Sequence, residues 1–560
     1  MNVRLFPFIS WAIITLAGGG YSILISMCKH RVFAIMPVFL MTVLTVLNSS
    51  YGVRLWATWN YSGAEKRPLW RVFEELVIPL HNTPGRLAND LHEANNFAFG
   101  STRFFECVPH MVSKPILEGG IVNSAIGSMF SYYIQGETSD ACAGFPNIMI
   151  PPAFNITNAT KHLELFNVKH FIARAERTKK EFNRLNEWKL LRSVQAWNLY
   201  ELQTHDGSYV FIPEYFPVAV ETPQVKDRWK ENALWWIYTP EALHLPFLFV
   251  KSKKDLQSIP SKTPVISEAS YRQLLHSSRH ENTQIREWLL LGPFPVPRSC
   301  NVPLEYNPII EENISPVEGV RSGTYRWELC AFETPIVPSD FWRRKKGEER
   351  KSNAINYAFV YIYSPCDTNA VITFSTDSPV KIWVNKKALF NSAISTEQTS
   401  TLPVKLHKGR NSLMLKIYQK NENSYFDVNI SACDNTSLKD IVVTTAPVCP
   451  VSVVHEAISD NKKQIIQESI SDTKIRFHTK ATGLPHIIKC TWYPNWKVKG
   501  ARGVYMVSPC FMLVYPEKEE VELYYSTTLS DRAGFLLTML GIALCILIAI
   551  KSIVARTTSE

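Results

Sequence analysis

Uncharged apolar segments near both ends of the chain constrain its fold more than any other feature. Leu5 to Cys28, Val32 to Val53 and Ala533 to Ile550 contain no Asp, Glu, Lys or Arg. Each is close to the roughly 20 residues that a helix needs to cross the hydrocarbon core of a bilayer. Backbone amides in lipid must be satisfied within their own segment, so such runs form helices there. The sequence therefore predicts an integral membrane protein with two N-terminal transmembrane helices and one C-terminal transmembrane helix.

Basic residues beside these segments predict the orientation. The cluster Lys29 to Arg31 lies between the first two segments, and Lys551 and Arg556 follow the third. Short loops rich in Lys and Arg stay in the cytoplasm. We therefore expect a multi-pass protein of the cell membrane, with its N-terminus and residues 54–532 on the extracytoplasmic side.

The first apolar segment has a second interpretation, a cleaved signal peptide, because Arg4 precedes it. Signal peptides have a shorter apolar region and a cleavage site flanked by small residues. Leu5 to Cys28 is longer than such a region and lacks a clear site of this kind. We favour the transmembrane interpretation.

The charge of the chain indicates which partners to expect. The formal net charge is +10 for 560 residues, and Lys and Arg are interspersed with acidic residues. A nucleic-acid-binding protein instead concentrates its basic residues on one face or along one helix. The sequence thus predicts no nucleic-acid partner and a modest attraction to anionic membrane lipid.

Cysteine and histidine positions predict neither a metal site nor a cofactor. The 11 cysteines and 14 histidines lack the spacing of a zinc site. Fingerprints of nucleotide binding and of common hydrolases are absent as well. In an oxidising exterior, pairs such as Cys107 with Cys142 or Cys490 with Cys510 could form disulfides. Sequence alone does not decide their connectivity.

The region between the membrane segments is large enough for two or three domains, and we predict three modules in an α+β membrane protein. The expected divisions are transmembrane helices in 1–53, an extracytoplasmic α/β module in 54–280, a β-sandwich in 281–437, a juxtamembrane β module in 438–530, and a transmembrane helix with a short cytoplasmic tail in 531–560.

Helical and strand patterns alternate in the first module. Leu163 to Ile172 indicates a helix end followed by a buried strand, and Trp197 to Leu202 alternates like a second strand. Together with Thr83 to Arg86, Arg103 to Glu106 and Leu117 to Gly120, these segments resemble the external domain of large multi-span membrane proteins. Those proteins are similar to C-type (GT-C) glycosyltransferases and are often labelled 6-pyruvoyl-tetrahydropterin synthase-related.

Short strands separated by turn residues dominate the second module, which favours an antiparallel sandwich or jelly roll. The strings WLLLGPFP, TDSPVKIWVNKK and LHKGRNSLMLKIYQ resemble galactose-binding-like jelly-roll modules of carbohydrate-active enzymes. Strands are predicted over Trp288 to Phe294, Ala358 to Tyr363, Ala370 to Phe374, Val380 to Val384 and Ser412 to Tyr418.

Three or four strands are predicted in the third module, between Thr473 and Thr527. The strings YPNWKVKGA, SPCFMLVYP and VELYY, followed at once by a membrane helix, resemble the C-terminal module of the same GT-C-like proteins and of bacterial YfhO-type proteins.

The sandwich offers one group of candidate binding residues. Trp383 could stack on a sugar ring while Asp377 and Asn385 contact its hydroxyls. The structural alternative is that Trp383 belongs to the core, because it alternates with other strand residues, and that Asp377 and Asn385 shape turns. We favour the structural alternative.

The juxtamembrane module offers a second group. Trp492, Tyr493 and Trp496 could cradle a lipid-linked sugar or lie at the level of the lipid headgroups. Packing of the three aromatic side chains within a small sheet is the alternative, and we favour it.

Glu106 and Glu118 are the carboxylates with the best claim to catalysis. Paired carboxylates can provide acid and base catalysis on a glycoside. The alternative is an ion pair with Arg103 or Arg86 and an acidic residue at a helix start, and it agrees better with how surface acids are generally used.

The family resemblance implies a catalytic acid in the first external loop, between the first two spans, and a polyprenyl-linked sugar donor. The matching loop here, Cys28 to Arg31, has no carboxylate, and three spans do not enclose such a donor site. We therefore predict a membrane-anchored extracytoplasmic protein that is not catalytic alone and binds a glycan or a partner protein at the cell surface. The alternative is a subunit or truncated remnant of a GT-C-type glycosyltransferase that uses a lipid-linked sugar and acts with other membrane subunits.

Overall fold

The computed structural model describes most of the chain as two compact units. One comprises residues 1–73 and 93–104, and the other residues 74–92 and 105–560. The described residues are 6–27, 61–117, 126–140, 153–223, 227–250, 259–260, 263–278, 284–311, 314–332, 334–347, 349, 351–393, 396–432, 441–450, 455–459 and 465–557, with a few positions between 36 and 59.

The first unit contains helices and an aromatic cluster. Its helices are α1 (Phe6–Met27), the start of α2 (Trp70–Leu76) and α3 (Ala94–Phe99). Trp70 stacks on Phe73 with ring centroids 4.8 Å apart, and Phe104 contacts Phe73 and Phe99 at 5.5 and 5.0 Å. These ring contacts hold the start of α2 near α3.

The second unit begins with a four-stranded sheet that is covered by helices. Its strands are β1 (Arg86–Asn89), β2 (Val168–Ala173), β3 (Trp188–Val194) and β4 (Trp197–Leu202), in the order β1-β2-β4-β3 with β1 and β2 parallel. The short strand β5 (Val210–Phe211) follows and joins a different sheet. The accompanying helices are α4 (Val108–Val112), α5 (Ser128–Thr138), α6 (Ile156–Leu165) and α7 (Glu176–Phe182).

A buried pair of side chains fixes helix α6. His162 Nδ1 lies 2.7 Å from Glu137 Oε2 on α5, and His162 Nε2 donates to the carbonyl oxygen of Ile237 at 2.8 Å. Asn155 caps α6 by accepting from the backbone N–H of Asn158. Because buried polar groups are costly without partners, these bonds restrict α6 to one position.

A three-stranded parallel sheet comes next. Its strands are β6 (Val218–Glu221), β7 (Phe247–Val250) and β8 (Val265–Ser267), in the order β7-β6-β8, with helices α8 (Arg228–Ile237) and α9 (Glu268–Ser278) beside them. Parallel neighbours require such crossover connections. The strand β7 is apolar and buried throughout, as is typical of a parallel sheet covered on both faces.

The β-rich middle of the chain is sandwich-like. One sheet has the order β12-β9-β13-β18-β15-β16, with β20 paired to β13, and the other has the order β17-β14-β19. Apolar side chains such as Trp288, Ile372 and Leu415 fill the space between the sheets. The elements are β9 (Glu287–Pro295), β10 (Arg321–Ser322), β11 (Tyr325–Arg326), β12 (Glu328–Ala331), α10 (Pro338–Lys346), β13 (Ala354–Ser364), β14 (Thr368–Thr376), β15 (Val380–Val384), β16 (Lys387–Ser392), β17 (Gln398–Leu406), β18 (Gly409–Gln419), β19 (Phe426–Ala432) and β20 (Val442–Thr444).

Two further four-stranded sheets precede the C-terminal helix. Their strand orders are β21-β22-β27-β24 and β25-β26-β23-β5. The second sheet is therefore completed by β5, a strand from much earlier in the chain, through the pairing of Ile488 with Val210. The strands are β21 (Ile465–Ile470), β22 (Lys474–Thr479), β23 (His486–Thr491), β24 (Trp496–Lys499), β25 (Ala501–Val507), β26 (Phe511–Pro516) and β27 (Glu520–Tyr525).

A buried charge cluster joins helix α9 to the sandwich. The Arg272 guanidinium donates to Glu268 Oε2 at 2.9 Å and to Glu287 Oε1, at the start of β9, at 3.2 Å. The side chains of Arg272 and Glu287 are only 5% and 4% exposed. Glu287 also accepts from the backbone N–H of Thr445 at 2.8 Å, and Glu268 pairs with Arg228 at 3.1 Å. The cluster therefore links two helices of the parallel sheet to two segments of the sandwich.

The last helix, α11 (Leu529–Thr557), contains the membrane-span candidate of the described residues. Leu529–Lys551 is 23 residues long with a mean hydropathy of 2.7, and none of its apolar window is buried against the rest of the chain. Length and composition suit a bilayer crossing. They agree with the predicted C-terminal span, Ala533 to Ile550.

The two N-terminal spans are not confirmed. Helix α1 covers most of Leu5 to Cys28, which agrees with a helix there but does not by itself establish a membrane crossing. Most of Val32 to Val53 lies outside the described residues. One candidate span supports membrane association, whereas the multi-pass topology stays a prediction.

Candidate functional site

A cavity of about 600 Å³ with a mixed polar and apolar lining is present in the second unit, where α6, the segment around β5 and the strands β23 and β26 meet. Binding sites for small molecules commonly have volumes of this size. Its polar lining consists of Lys161, Glu164, His205, Asp206, Ser208, Glu214, His244, Lys489 and Ser508. Its apolar lining consists of Leu165, Phe211, Ile212, Pro213, Trp236, Pro240, Leu243, Pro246, Ile487 and Phe511.

The loop between β4 and β5 is held by its own hydrogen bonds. His205 Nε2 donates to the carbonyl oxygen of Val168 at 2.9 Å, and the backbone N–H of Gly207 donates to His205 Nδ1 at 3.0 Å. These bonds assign the neutral Nε2–H tautomer, and burial lowers the pKa of His205. Gly207 has φ of 89°, and a Cβ there would come within 2.8 Å of the Gly85 nitrogen. The position thus requires glycine.

Two carboxylates of the cavity are hydrogen-bonded to neighbours. Asp206 Oδ1 accepts from the backbone N–H of Ser208 at 2.9 Å, and this bond is the main reason why the pKa of Asp206 is lowered. Glu164 Oε2 accepts from Thr204 Oγ1 at 2.8 Å. Both carboxylates keep further lone pairs that can accept hydrogen bonds from hydroxyl groups of a ligand.

Lys489 brings a cation into the cavity from β23. Its Nζ donates to the carbonyl oxygen of Glu164 at 3.0 Å and lies 5.3 Å from the centroid of the Phe211 ring. Burial lowers the pKa of Lys489 to about 8. The ammonium group is therefore partly desolvated but still mostly charged at neutral pH.

Arg86, on β1, connects β23 to the residue that follows α6. Its guanidinium donates to the carbonyl oxygens of Phe166 at 2.5 Å and Lys489 at 2.7 Å, and it lies over the Tyr209 ring at 4.9 Å. Glu468 adds to this junction by accepting from the backbone N–H of Tyr209 and of Val210, each at 2.9 Å. These contacts fix the position of β23 at the cavity wall.

The candidate residues of the sandwich lie in structural positions. Trp383 is 8% exposed and belongs to a core on the outer face of the larger sheet. Asp377 accepts from the backbone N–H of Tyr425 at 3.0 Å, and Asn385 bonds Ser412 and has φ of 48°, as a tight turn requires. Asp377 and Asn385 occupy opposite ends of β15, so the three residues are not brought together.

The juxtamembrane aromatic residues also pack within a sheet core. Trp492 Nε1 donates to the carbonyl oxygen of Val504 at 3.1 Å, and Tyr493 packs against the same apolar cluster. Trp496 is 9% exposed and meets the Tyr525 ring edge-on at 5.6 Å. All three therefore have packing roles, and ligand binding by them stays a prediction.

The carboxylate pair predicted in the first region is only half described. Glu106 lies half-buried in the 3₁₀ turn Phe104–Cys107. Glu118 lies outside the described residues, as does Cys142. Within the described part of the chain, no cluster of three or more His, Cys, Asp or Glu side chains could hold a metal ion.

Cys490 and Cys510 are both free thiols, so the disulfide considered for them is absent. The reason is the geometry of the sheet. Cys490 packs on the side facing β22 and β27, whereas Cys510 packs into the core of the first region on the opposite side.

Sequence reasoning missed the cavity because its residues come from four separated segments, within 161–165, 205–214, 236–246 and 487–511. One signal was available. Lys489 follows Ile487 and Ile488 in a buried strand, where a charged residue interrupts the apolar pattern.

Comparisons with known proteins define no family. No family model matches the chain, and no curated relative was found. Part of the chain is similar to a beta-glucosidase from Kluyveromyces marxianus, with 10% identity, a TM-score of 0.18, and coverage of 26% of this chain and 16% of that one. Another likeness is to a family 35 carbohydrate binding module from Clostridium thermocellum, with 14% identity, a TM-score of 0.12, and coverage of 14% and 72%.

A third likeness is to an anti-sigma factor domain-containing protein from Clostridium clariflavum, with 12% identity, a TM-score of 0.19, and coverage of 44% of this chain and 90% of that one. TM-scores this low do not establish a shared fold, so no functional conclusion follows from these three proteins. The resemblance to GT-C-like membrane proteins, and the transferase-subunit alternative, stay predictions from the sequence.

Proposed function

We propose that this chain is a membrane-anchored, extracytoplasmic protein that binds a carbohydrate in the cavity between α6 and β23. The cavity carries the proposal. Its volume of about 600 Å³ accommodates a small saccharide, and it combines hydrogen-bonding side chains with the partly exposed aromatic ring of Phe211. Saccharides are recognised by this combination of polar groups for the hydroxyls and apolar surface for the ring faces.

Anchoring is supported by helix α11, whose apolar segment Leu529–Lys551 follows β27 after only a few residues. The extracytoplasmic placement of the cavity is supported by the basic residues Lys551 and Arg556 beyond this segment. Membrane lipid is accordingly a partner of the helix, and the saccharide is the ligand of the cavity.

The proposal is tested by titrating the full-length chain, purified in detergent micelles, with a panel of neutral, acidic and amino mono- and disaccharides. Ser208→Trp places a large ring at the cavity wall and should weaken saccharide binding at least tenfold. Ser277→Trp is the matched control, because Ser277 is exposed near the end of α9 and does not line the cavity.

Millimolar or tighter binding that Ser208→Trp removes and Ser277→Trp leaves unchanged would support the cavity as the site. Binding that both variants retain would transfer the site to another part of the chain. No binding by any saccharide of the panel would refute the proposed function.

A further inference from the structure

We infer that one face of the sheet β21-β22-β27-β24 binds the anionic phospholipid headgroups of the membrane in which helix α11 is anchored. This basic face consists of the outward side chains of Lys474, Arg476, Lys497 and Lys499. The inference rests on the proposed membrane anchoring by α11 and is independent of saccharide binding in the cavity.

Pairing between the strands arranges the basic face in two neighbouring rows across β22, β27 and β24. The first row is Lys474, Tyr524 and Lys497, and the second row is Arg476, Glu522 and Lys499. Successive side chains of a strand point to opposite faces of the sheet. The residues between these rows, such as Ile475 and Leu523, are buried in the apolar core. The four cations therefore share the side of the sheet that faces away from the core.

One carboxylate serves three of the four cations. Glu522 lies 2.7 Å from Arg476 Nε, 3.7 Å from Lys474 Nζ and 3.5 Å from Lys499 Nζ. The side chains of these three cations nevertheless remain 59%, 43% and 69% exposed. Lys497 is also exposed, and its Nζ donates to a backbone carbonyl oxygen. The basic face thus carries a surplus of positive charge that is accessible from solvent.

The acidic residues near the sheet do not cancel this surplus. The turn 517–520 contains three acids and one lysine, but it lies at the end of β27 that is farther from α11. Toward α11, Asp472 and Asp531 add two carboxylates, and Arg532 adds one cation. With Glu522, three carboxylates accompany five cations in this described part of the chain.

Hydrogen bonds hold the basic face close to the start of α11. Asn495 Nδ2 donates to the carbonyl oxygen of Ser526 at 3.0 Å, and Ser526 Oγ donates to the carbonyl oxygen of Asn495 at 2.9 Å. The apolar segment begins three residues after Ser526, at Leu529. Lys497 and Lys499 follow Asn495 by two and four residues, which correspond to about 7 and 13 Å of strand.

This separation matches the range over which charges act at a membrane surface. The Debye length is about 10 Å at an ionic strength of 0.1 M. Lys and Arg side chains next to a membrane segment are attracted to anionic lipid over about this distance. Anionic headgroups around α11 are therefore the partner that the basic face fits.

The test compares the full-length chain in nanodiscs of phosphatidylcholine with the same chain in nanodiscs that contain about one-third phosphatidylglycerol. A soluble acetylating reagent, followed by mass spectrometry, measures the reactivity of each lysine. Lys474, Lys497 and Lys499 should react at least threefold more slowly in the anionic nanodiscs. Salt at about 1 M should remove the difference, because the Debye length is then only about 3 Å. Lys405 is the internal control, because it is 63% exposed but belongs to the sandwich.

Variants change the charge of the basic face without altering the cavity lining. Lys497→Glu combined with Lys499→Glu should remove the protection of Lys474, whereas the control Lys405→Glu should leave it unchanged. Glu522→Gln removes the shared carboxylate and should increase the protection. The comparison of the two lipid compositions needs no variant, so it decides the matter if a variant does not fold.

Equal reactivity of the three lysines in both kinds of nanodisc would overturn the inference and leave the anchoring and saccharide binding intact. Protection by a soluble sulfated polysaccharide, without protection in the anionic nanodiscs, would also overturn it and assign the basic face to an acidic polymer. A chain that enters nanodiscs of neither composition would refute the membrane anchoring itself, the part of the proposed function on which the inference rests.

Discussion

Replacement of Glu287 by Gln tests whether the buried charge cluster holds helix α9 against the sandwich. Glu287 faces Arg272, and both side chains are almost fully buried. The substitution preserves shape but leaves Arg272 with Glu268 as its remaining close carboxylate. Removing one partner of a buried ion pair costs about 3–5 kcal/mol, because the other charge stays desolvated. We therefore expect the free energy of unfolding to fall by about 3–5 kcal/mol in Glu287→Gln.

Hydrogen exchange of the full-length chain in micelles measures this loss locally. The slowest amides of β9 should exchange about one hundred to several thousand times faster in Glu287→Gln, since each 1.4 kcal/mol corresponds to a factor of ten. The control is Glu522→Gln. Glu522 lies within 4 Å of the cations of Lys474, Arg476 and Lys499, but these three are exposed. Surface ion pairs contribute about 1 kcal/mol or less.

The comparison of the two variants separates the effect of burial on stability from the effect of the number of ion-pair partners. A loss in Glu522→Gln as large as that in Glu287→Gln would refute the reasoning, as would an unchanged exchange rate in β9 of Glu287→Gln. Burial by itself would raise the pKa of Glu287, but the charge of Arg272 overcomes it and the pKa is lowered. The stabilisation is therefore complete above about pH 4.5, the ordinary value, and is lost as the pH falls below it.

Two further predictions concern single buried side chains. Trp383→Ala should destabilise the sandwich by about 3–5 kcal/mol in urea unfolding without changing saccharide affinity; lost binding with unchanged stability would instead make Trp383 a ligand contact. Asp90 accepts from the backbone N–H groups of Arg174 and Ala175, yet burial raises its pKa to about 7. Protonated Asp90 therefore stabilises the fold at low pH, and this stabilisation is lost as the pH rises from about 4 through 7. Over that range the free energy of unfolding of Asp90→Asn should rise by up to about 4 kcal/mol relative to that of the unaltered chain. A difference that is independent of pH would contradict this assignment.

The sandwich strands could be predicted because their pattern is local. Alternating residues bounded by turn formers placed a strand at Val380 to Val384, and the structure has it at the same residues. The segment Trp197 to Leu202 is confirmed in the same way. By contrast, β5 has two residues and β7 has four, which is too short for a period to distinguish a strand from a helix.

The candidate site could not be predicted from the same local patterns. The alternation of Trp383 along its strand favoured a core position, in keeping with its exposure of 8%, but no such pattern points to the cavity. The cavity brings Lys161, His205 and Lys489 together across the chain. Proximity of this kind depends on how β5 pairs with β23, and no spacing in the sequence encodes that pairing.

The strand β5 pairs in a sheet whose other strands come from near the C-terminus of the chain, so the cavity is completed only late in synthesis. Val210 is separated from Glu468, its hydrogen-bond partner, by 258 positions. During synthesis, the part of the cavity formed by α6 and the segment around β5 is made first. It is completed only when β23 and β26 have been synthesised, shortly before the apolar helix α11. A chain released prematurely from the ribosome would lack both helix α11 and the part of the cavity wall that β23 and β26 provide. The cavity wall and the candidate membrane span are thereby both completed in the last stage of synthesis.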